Sequence, residues 1–145
     1  MNKNVSMIFL ILSIFILIST SVSSVNIDSV SVSEQDVFYS DFVGNDIVNL
    51  RVQVSSITQG NTATVTADFS NLGLNVCEGV ENNTVILTDS GNGLWTGTCN
   101  IGNAAAINTF KTGKILIDAK ESNGGPTSPQ KSLTIGIYNI TLPNG

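Results

Sequence analysis

The chain has 145 residues, a length that fits one domain, and it contains 17 Asn, 17 Ser and 14 Thr but no His. The lack of His excludes Ser–His and Cys–His catalysis and the commonest zinc sites. A net charge of −5 and a pI near 4.3, without any basic run, argue against nucleic-acid binding. With 41% hydrophobic residues, the composition favours a folded chain over a disordered one.

Residues 1–24 have the three-part layout of a secretory signal peptide. Lys3 gives a basic start, Met7–Ile18 is apolar apart from one Ser, and the residues that follow are small and polar. The alternative is an uncleaved anchor that places residues 7–25 in the membrane, although a full span needs about 20 apolar residues. Both alternatives put the chain from Val25 onward outside the cytoplasm, secreted or at the cell surface.

Alternation of apolar and polar residues with period two recurs through residues 25–138 and predicts β-strands. The predicted strands are Ile27–Val32, Ile47–Val54, Thr62–Phe69, Thr84–Thr88, Leu94–Ile101, Lys114–Lys120 and Ser132–Leu142. Each has one apolar face and one polar face, which is typical of antiparallel sheets with one side in water. We therefore expect an all-β, seven-stranded antiparallel β-sandwich over 25–138, with a barrel as the structural alternative. Residues 139–145 are interpreted as a C-terminal tail or linker, and 103–108 as a helical turn or a loop.

Cys77 and Cys99 are the two cysteines of the chain. An even pair in an exported chain predicts a disulfide, whereas two buried free thiols are the alternative. Aligning the hairpin about residues 90–93 places Asp89 opposite Leu94 and Thr84 opposite Cys99. Since Cys77 precedes that hairpin, the bond is expected to join the hairpin to the loop before it.

Aromatic and acidic side chains supply the candidate binding residues. Phe38, Tyr39, Phe42 and Trp95 are interpreted by default as packing in the core or loops. The alternative is a partner-binding patch, with Trp95 as a sugar-stacking residue. The remaining candidates are low-ranking cation ligands on Gly-containing loops, namely Asp36, Asp41, Asp46 and Asp89. The sequence around them lacks the carboxylates of a full calcium loop, so a solvated loop and a hairpin turn are the competing interpretations, and no cofactor is expected.

Two sequons identify Asn82 and Asn139 as candidate glycosylation sites. Glu78 and Glu81 lie close to Cys77 and are a candidate acid–base pair for a secreted carboxylate-dependent hydrolase. Nothing in the sequence sets the separation of these two carboxyl groups. The hydrolase is therefore only a remote alternative, and we expect that the chain is not an enzyme.

Three stretches of the chain follow a recognisable pattern: TVTADFSNLG at 64–73, VILTDSGNGLWTGT at 85–98 and GKILIDAKESNG at 113–124. Together they resemble the immunoglobulin-like repeats of archaeal and bacterial cell-surface proteins, both adhesin-like and S-layer-associated. The resemblance covers about residues 30–138 and implies an immunoglobulin-like sandwich that serves as a spacer, stalk or adhesive unit. Trp95 stands where the repeat has Tyr, and the two cysteines are additions to the pattern.

These observations favour a non-enzymatic, extracytoplasmic structural or adhesive module of a cell-surface or secreted assembly. The expected partners are other surface proteins or repeats of the same type. The alternative is a membrane-anchored sandwich that holds an envelope machine in place, as archaellum stator subunits do. Strand addition at a sheet edge is a physical route to assembly, unless lysines of the last two predicted strands protect that edge.

Overall fold

Nine β-strands make up most of the computed structural model, which describes residues 25–39, 47–73, 76–102, 110–122 and 127–139. In chain order they are β1 (Asn26–Val32), β2 (Asp36–Tyr39), β3 (Ile47–Ser55), β4 (Ala63–Asp68), β5 (Thr84–Ile86), β6 (Thr88–Asp89), β7 (Leu94–Asn100), β8 (Phe110–Glu121) and β9 (Lys131–Asn139). Two short 3₁₀ turns, Ser70–Leu72 and Glu81–Asn83, lie between β4 and β5.

The strands form two sheets that pack face to face. The first sheet has the order β1-β3-β7-β6 and the second has the order β2-β9-β8-β4-β5. Across the sandwich β1 contacts β9, and β7 contacts β5. For the described residues the expectation of an all-β fold is confirmed, and two sheets with separate edges correspond to a sandwich rather than a barrel.

The predicted set of seven antiparallel strands is wrong in two respects. β2 lies in a segment that the sequence pattern indicates to be a loop, and it runs parallel to β9. The predicted strand Thr84–Thr88 is divided between the sheets, because β5 pairs with β4 whereas β6 pairs with β7. Thr84 therefore lies opposite Asp68 rather than opposite Cys99.

The hairpin between β6 and β7 also has a shorter loop than the sequence suggests. The N–H of Ser90 donates to the carbonyl of Leu94 at 2.7 Å, which leaves three loop residues. All three, 91–93, have positive φ angles, which tighten the turn. Asp89 consequently pairs with Trp95 and not with Leu94, a shift of one residue from the predicted register.

The core lies between the sheets and follows the predicted alternation. Along β3 the side chains of Val48, Leu50, Val52 and Val54 are buried, while the residues between them are exposed or half-buried. The same alternation buries one face each of β4, β8 and β9. Burial of these branched apolar side chains is the main force that holds the two sheets together.

A β-bulge in β1 brings apolar residues of uneven spacing onto the core. The register shifts between Ile27 and Ser29, so that Asp28 is the extra residue. Ile27 is buried, and Val30 and Val32 pack against the core from half-buried positions. Residues three apart face opposite sides of a regular strand, and the bulge removes this conflict.

Candidate functional site

Cys77 and Cys99 form a disulfide at the end of β7, with their Cα atoms 5.0 Å apart. Both residues are buried, and Cys77 lies opposite Ile101 in an isolated antiparallel bridge. The bond joins the segment before the second 3₁₀ turn to β7, which agrees with the expected link between hairpin and preceding loop. The strand beside Cys99 is β3, where Val48 is its register partner.

Asn83 holds the backbone beside the disulfide in place. Its side chain is buried, its Nδ2 donates to the carbonyl of Gly73 at 2.9 Å, and its Oδ1 accepts from the N–H of Cys77 at 3.2 Å. Its φ of 56° lies in the left-handed region, which Asn tolerates better than most residues. Asn83 is not among the candidate residues of the sequence, because a sequon draws attention to its first Asn and its Thr.

Asn82, the first residue of that sequon, is exposed on the second 3₁₀ turn. The hydroxyl of Thr84 donates to its carbonyl at 3.4 Å. A shallow recess beside it includes Val80 and Ile86, and the Ile86 side chain is 71% exposed. Asn139, the other sequon residue, ends β9, and its side chain lies outside the described residues.

Among the aromatic candidates that the structure describes, Trp95 lies in a different sheet from Phe38 and Tyr39. Trp95 is only 7% exposed and belongs to the core, so the alternative that it is a member of a binding patch or a sugar-stacking residue is wrong. Among the described residues its indole N–H has no hydrogen-bond partner. Phe38 and Tyr39 lie on β2 in the opposite sheet, and Phe42 is outside the described residues.

The two candidate cation ligands within the described residues are also in different sheets. Asp36 lies on β2 and Asp89 on β6, in different sheets, while Asp41 and Asp46 fall outside the described residues. Asp89 Oδ1 accepts from the N–H of Gly91 at 2.8 Å, which is the contact of an Asx turn in a hairpin. In the described part of the chain, no three Cys, Asp or Glu side chains cluster closely enough to hold a metal ion.

The carboxylates considered for a hydrolase lie on the surface. Glu78 and Glu81 are both exposed, and Glu78 accepts from Asn100 Nδ2 at 3.1 Å. Both side chains are surrounded by solvent rather than by an apolar pocket. Such solvated carboxylates are typical of a protein surface.

Glu121, at the end of β8, is the one buried carboxylate among the described residues. Its Oε1 accepts from the N–H of Thr58 at 2.8 Å and from the hydroxyl of Thr58 at 3.0 Å, and its Oε2 accepts from Asn61 Nδ2 at 2.7 Å. The Thr58 N–H, followed by Asn61, holds the pKa of this carboxyl below its usual value. The contacts tie the loop between β3 and β4 to β8, which is a structural role.

The outer face of the first sheet carries a shallow polar recess. It is lined by Ser31, Val32, Ser33, Asn49, Leu50, Arg51, Thr88, Thr96, Gly97 and Thr98. Arg51 lies in the central strand β3, opposite Ser31 on one side and Thr96 on the other. Its described lining residues present hydroxyl, amide and guanidinium groups that can hydrogen-bond a polar partner.

Comparisons of the chain with models of protein families, with curated proteins and with solved structures found no match. Within the described residues, no helix is long and apolar enough to cross a membrane.

Proposed function

We propose that the chain is a non-enzymatic, extracytoplasmic module with an immunoglobulin-like sandwich, which serves as a spacer or adhesive unit of a cell-surface or secreted assembly. The strand order supports the fold assignment. In immunoglobulin domains one sheet has the order A-B-E-D, and the other contains G-F-C and, in variable-type domains, C′ beside C. The order β1-β3-β7-β6 corresponds to the first sheet, and β9-β8-β4-β5 to the second.

The single observation that carries the proposal is that the chain enters the sandwich at one end and leaves it at the other. At the start of β1, the N–H of Ile27 donates to Ser128 Oγ, close to the start of β9, at 3.2 Å. At the other end Tyr39 of β2 pairs with Asn139, the last residue of β9. The nine residues of β9 span about 26 Å at roughly 3.3 Å per residue. A module built in this way separates whatever precedes it from whatever follows it.

Two further features support a place outside the cytoplasm. Disulfides persist in oxidising compartments, and the Cys77–Cys99 bond is buried. We also propose Asn82 as a glycan acceptor, since it is exposed on a turn beside the exposed Ile86, which a glycan there would cover. The exposed Ser, Thr and Asn side chains of the first sheet suit a surface that stays in water.

Protease treatment of intact cells that express the full chain tests the proposal. If the proposal is right, peptides from residues 25–139 are released without lysis, or the protein is found in the medium, with Cys77 and Cys99 joined in the non-reduced digest. N-terminal sequencing of the same material separates a cleaved form that begins near Val25 from an anchored one. A protein that stays protected inside intact cells with both thiols free would overturn the proposal.

A further inference from the structure

β1 has a sheet edge that is partly protected and partly open. Its first half is covered, because Ser128 Oγ accepts from the N–H of Ile27 at 3.2 Å and Lys131 Nζ donates to the carbonyl of Asp28 at 2.9 Å. Among the described residues no group hydrogen-bonds the edge from Ser29 onward. The opposite edge of the same sheet, β6, is only two residues long. Edge strands that are neither short nor covered are the places where sheets pair with other chains.

The hydrogen-bond pattern shows which backbone groups this edge offers. The N–H of Ser33 donates to the carbonyl of Asn49 on β3 at 2.9 Å, so Ser33 faces β3, and Ser31 does the same by strand alternation. The N–H and carbonyl groups of Val30 and Val32 therefore point away from β3 to the open edge. Within the described part of the chain these four groups have no partner.

The residues along the open edge favour a particular partner. The segment Ser29–Ser33 reads Ser-Val-Ser-Val-Ser, which is uncharged, contains no Pro and is the same in both directions. An antiparallel copy of this segment, centred on Ser31, places Val opposite Val and Ser opposite Ser. We propose that β1 pairs in this way with β1 of a second copy of the chain, across a two-fold axis at Ser31.

This arrangement satisfies the open groups with the spacing of a regular ladder. Val30 of each copy exchanges two hydrogen bonds with Val32 of the other, four bonds in all, and the first sheets join into one continuous eight-stranded sheet. Ser31 meets Ser31 of the second copy in a non-hydrogen-bonded pair, where Cα atoms lie about 4.5 Å apart. A two-fold interface of this kind uses the same residues on both copies.

Acidic residues limit the length of the pairing. Asp28 and Glu34 flank the uncharged segment, and pairing beyond it would bring Asp28 of one copy towards Glu34 of the other. An interface of five paired residues per copy buries far less area than a standard interface, which buries about 800 Å² per partner. The dimer is therefore weak, and it forms only at high concentration or where many modules lie side by side. The inference rests on the proposed function for its biological role, since it names the partner of the adhesive module.

Cysteine cross-linking of the full chain tests the register. With Ser31→Cys, mild oxidation should produce a disulfide-linked dimer, because about 4.5 Å between Cα atoms lies within disulfide range. Ser29→Cys alone should not cross-link, whereas a mixture of the Ser29→Cys and Ser33→Cys proteins should. The matched control is Thr98→Cys, an exposed position on the same outer face but on the central strand β7. We expect the Ser31→Cys dimer to form at least about tenfold faster than the control, as held-together thiols have a high effective concentration.

Equal rates for Ser31→Cys and Thr98→Cys, or cross-linking of Ser29→Cys alone as fast as that of Ser31→Cys, would overturn the proposal. Association through the N-terminal apolar segment would raise all four rates together and would not reproduce the register. The outcome is also independent of the protease experiment. A chain that is exposed on cells but shows no register-specific cross-link retains the proposed function and loses this partner.

Discussion

Gly93 occupies a crowded position in the hairpin between β6 and β7. Its φ is +74°, and a Cβ there would overlap the carbonyl oxygen of Val54. The carbonyl of Gly93 also accepts from the N–H of Val54 at 2.8 Å, so the hairpin cannot move away without losing this bond. We expect Gly93→Ala to reduce the free energy of unfolding by about 2–3 kcal/mol.

Gly91→Ala is the matched control for this prediction. Gly91 has a φ of +90°, but nothing lies within 4 Å of its added Cβ. Only the backbone conformation is then unfavourable, which costs about 1 kcal/mol. Urea unfolding followed by the fluorescence of Trp95 measures both losses. Equal losses for the two variants would show that the contact with Val54 is not the cause.

Glu121 makes the stability of the sandwich depend on pH. Because the pKa of this carboxyl is lowered in the folded state from an ordinary value of 4.5, chiefly by the Thr58 N–H, the ionised form is favoured by folding. Its contribution is fully present above about pH 4.5 and is lost as the pH falls through the lower folded-state pKa. We therefore expect Glu121→Gln to be less stable than the unmodified protein at pH 7, with a difference that shrinks towards pH 3.

Urea titrations at pH 7 and pH 3 measure this change. Glu81→Gln removes the same charge from an exposed position, so it separates the hydrogen-bonded carboxylate from a general charge effect. The explanation fails if the gap between the unmodified protein and Glu121→Gln is the same at both pH values.

At the scale of elements, the disulfide is a link between β7 and an otherwise irregular segment. It joins residues 22 apart in sequence, and a cross-link of this span restricts the unfolded chain. We expect the double variant Cys77→Ala, Cys99→Ala to lose about 3 kcal/mol of unfolding free energy. Equilibrium unfolding with and without a reducing agent checks this prediction. The reductant should lower the midpoint of the unmodified protein and leave that of the double variant unchanged; an insensitive unmodified protein would contradict the assignment.

The elements differ in how far the sequence predicts them. β3, β4 and β7 follow regular alternation and were predicted within one or two residues of their observed bounds. The division of 84–89 between two sheets was not predictable, since Leu87 continues the apolar alternation while the chain changes sheets. β2 was missed because a four-residue strand that pairs in parallel with a distant partner leaves too short a pattern.

The candidate sites show the same division between local and long-range information. The cysteine pair was predicted from count and compartment, which need no geometry. The packing of Trp95 was expected from its large apolar area, whereas the anchoring role of Asn83 depends on which surfaces the fold closes. Finding the open edge at Ser29–Ser33 required knowing which backbone groups of β1 face β3. The alternation of residues in the sequence does not determine this, because the bulge at Asp28 shifts the phase of the strand.

At the scale of the whole molecule, the two outer faces have different chemistry. The outer face of the first sheet is lined by Ser, Thr and Asn around Arg51, whereas Lys114, Asp118 and Lys120 are exposed on β8 in the second. Neither β8 nor β9 is an edge strand, so the lysines of the last two strands do not protect an edge in the way that their sequence position suggested. Lys131 is the exception, and the edge that it covers belongs to β1.

The parallel pair of β2 and β9 has a mechanical consequence. Tension between Val25 and Asn139 pulls β2 towards one end of the sandwich and β9 towards the other, across four register pairs. The ladder bonds lie across the direction of pull, so they bear the load together, and β1 is sheared against β3 in the same way. Pulling β5 away from β4 instead opens three pairs one after another.

In single-molecule force measurements, unfolding by pulling on Val25 and Asn139 should need a larger force than unfolding by pulling β5 away from β4. Equal forces for the two pulling directions would contradict this expectation. The strand arrangement that keeps the preceding and the following segment apart would therefore also resist tension between them.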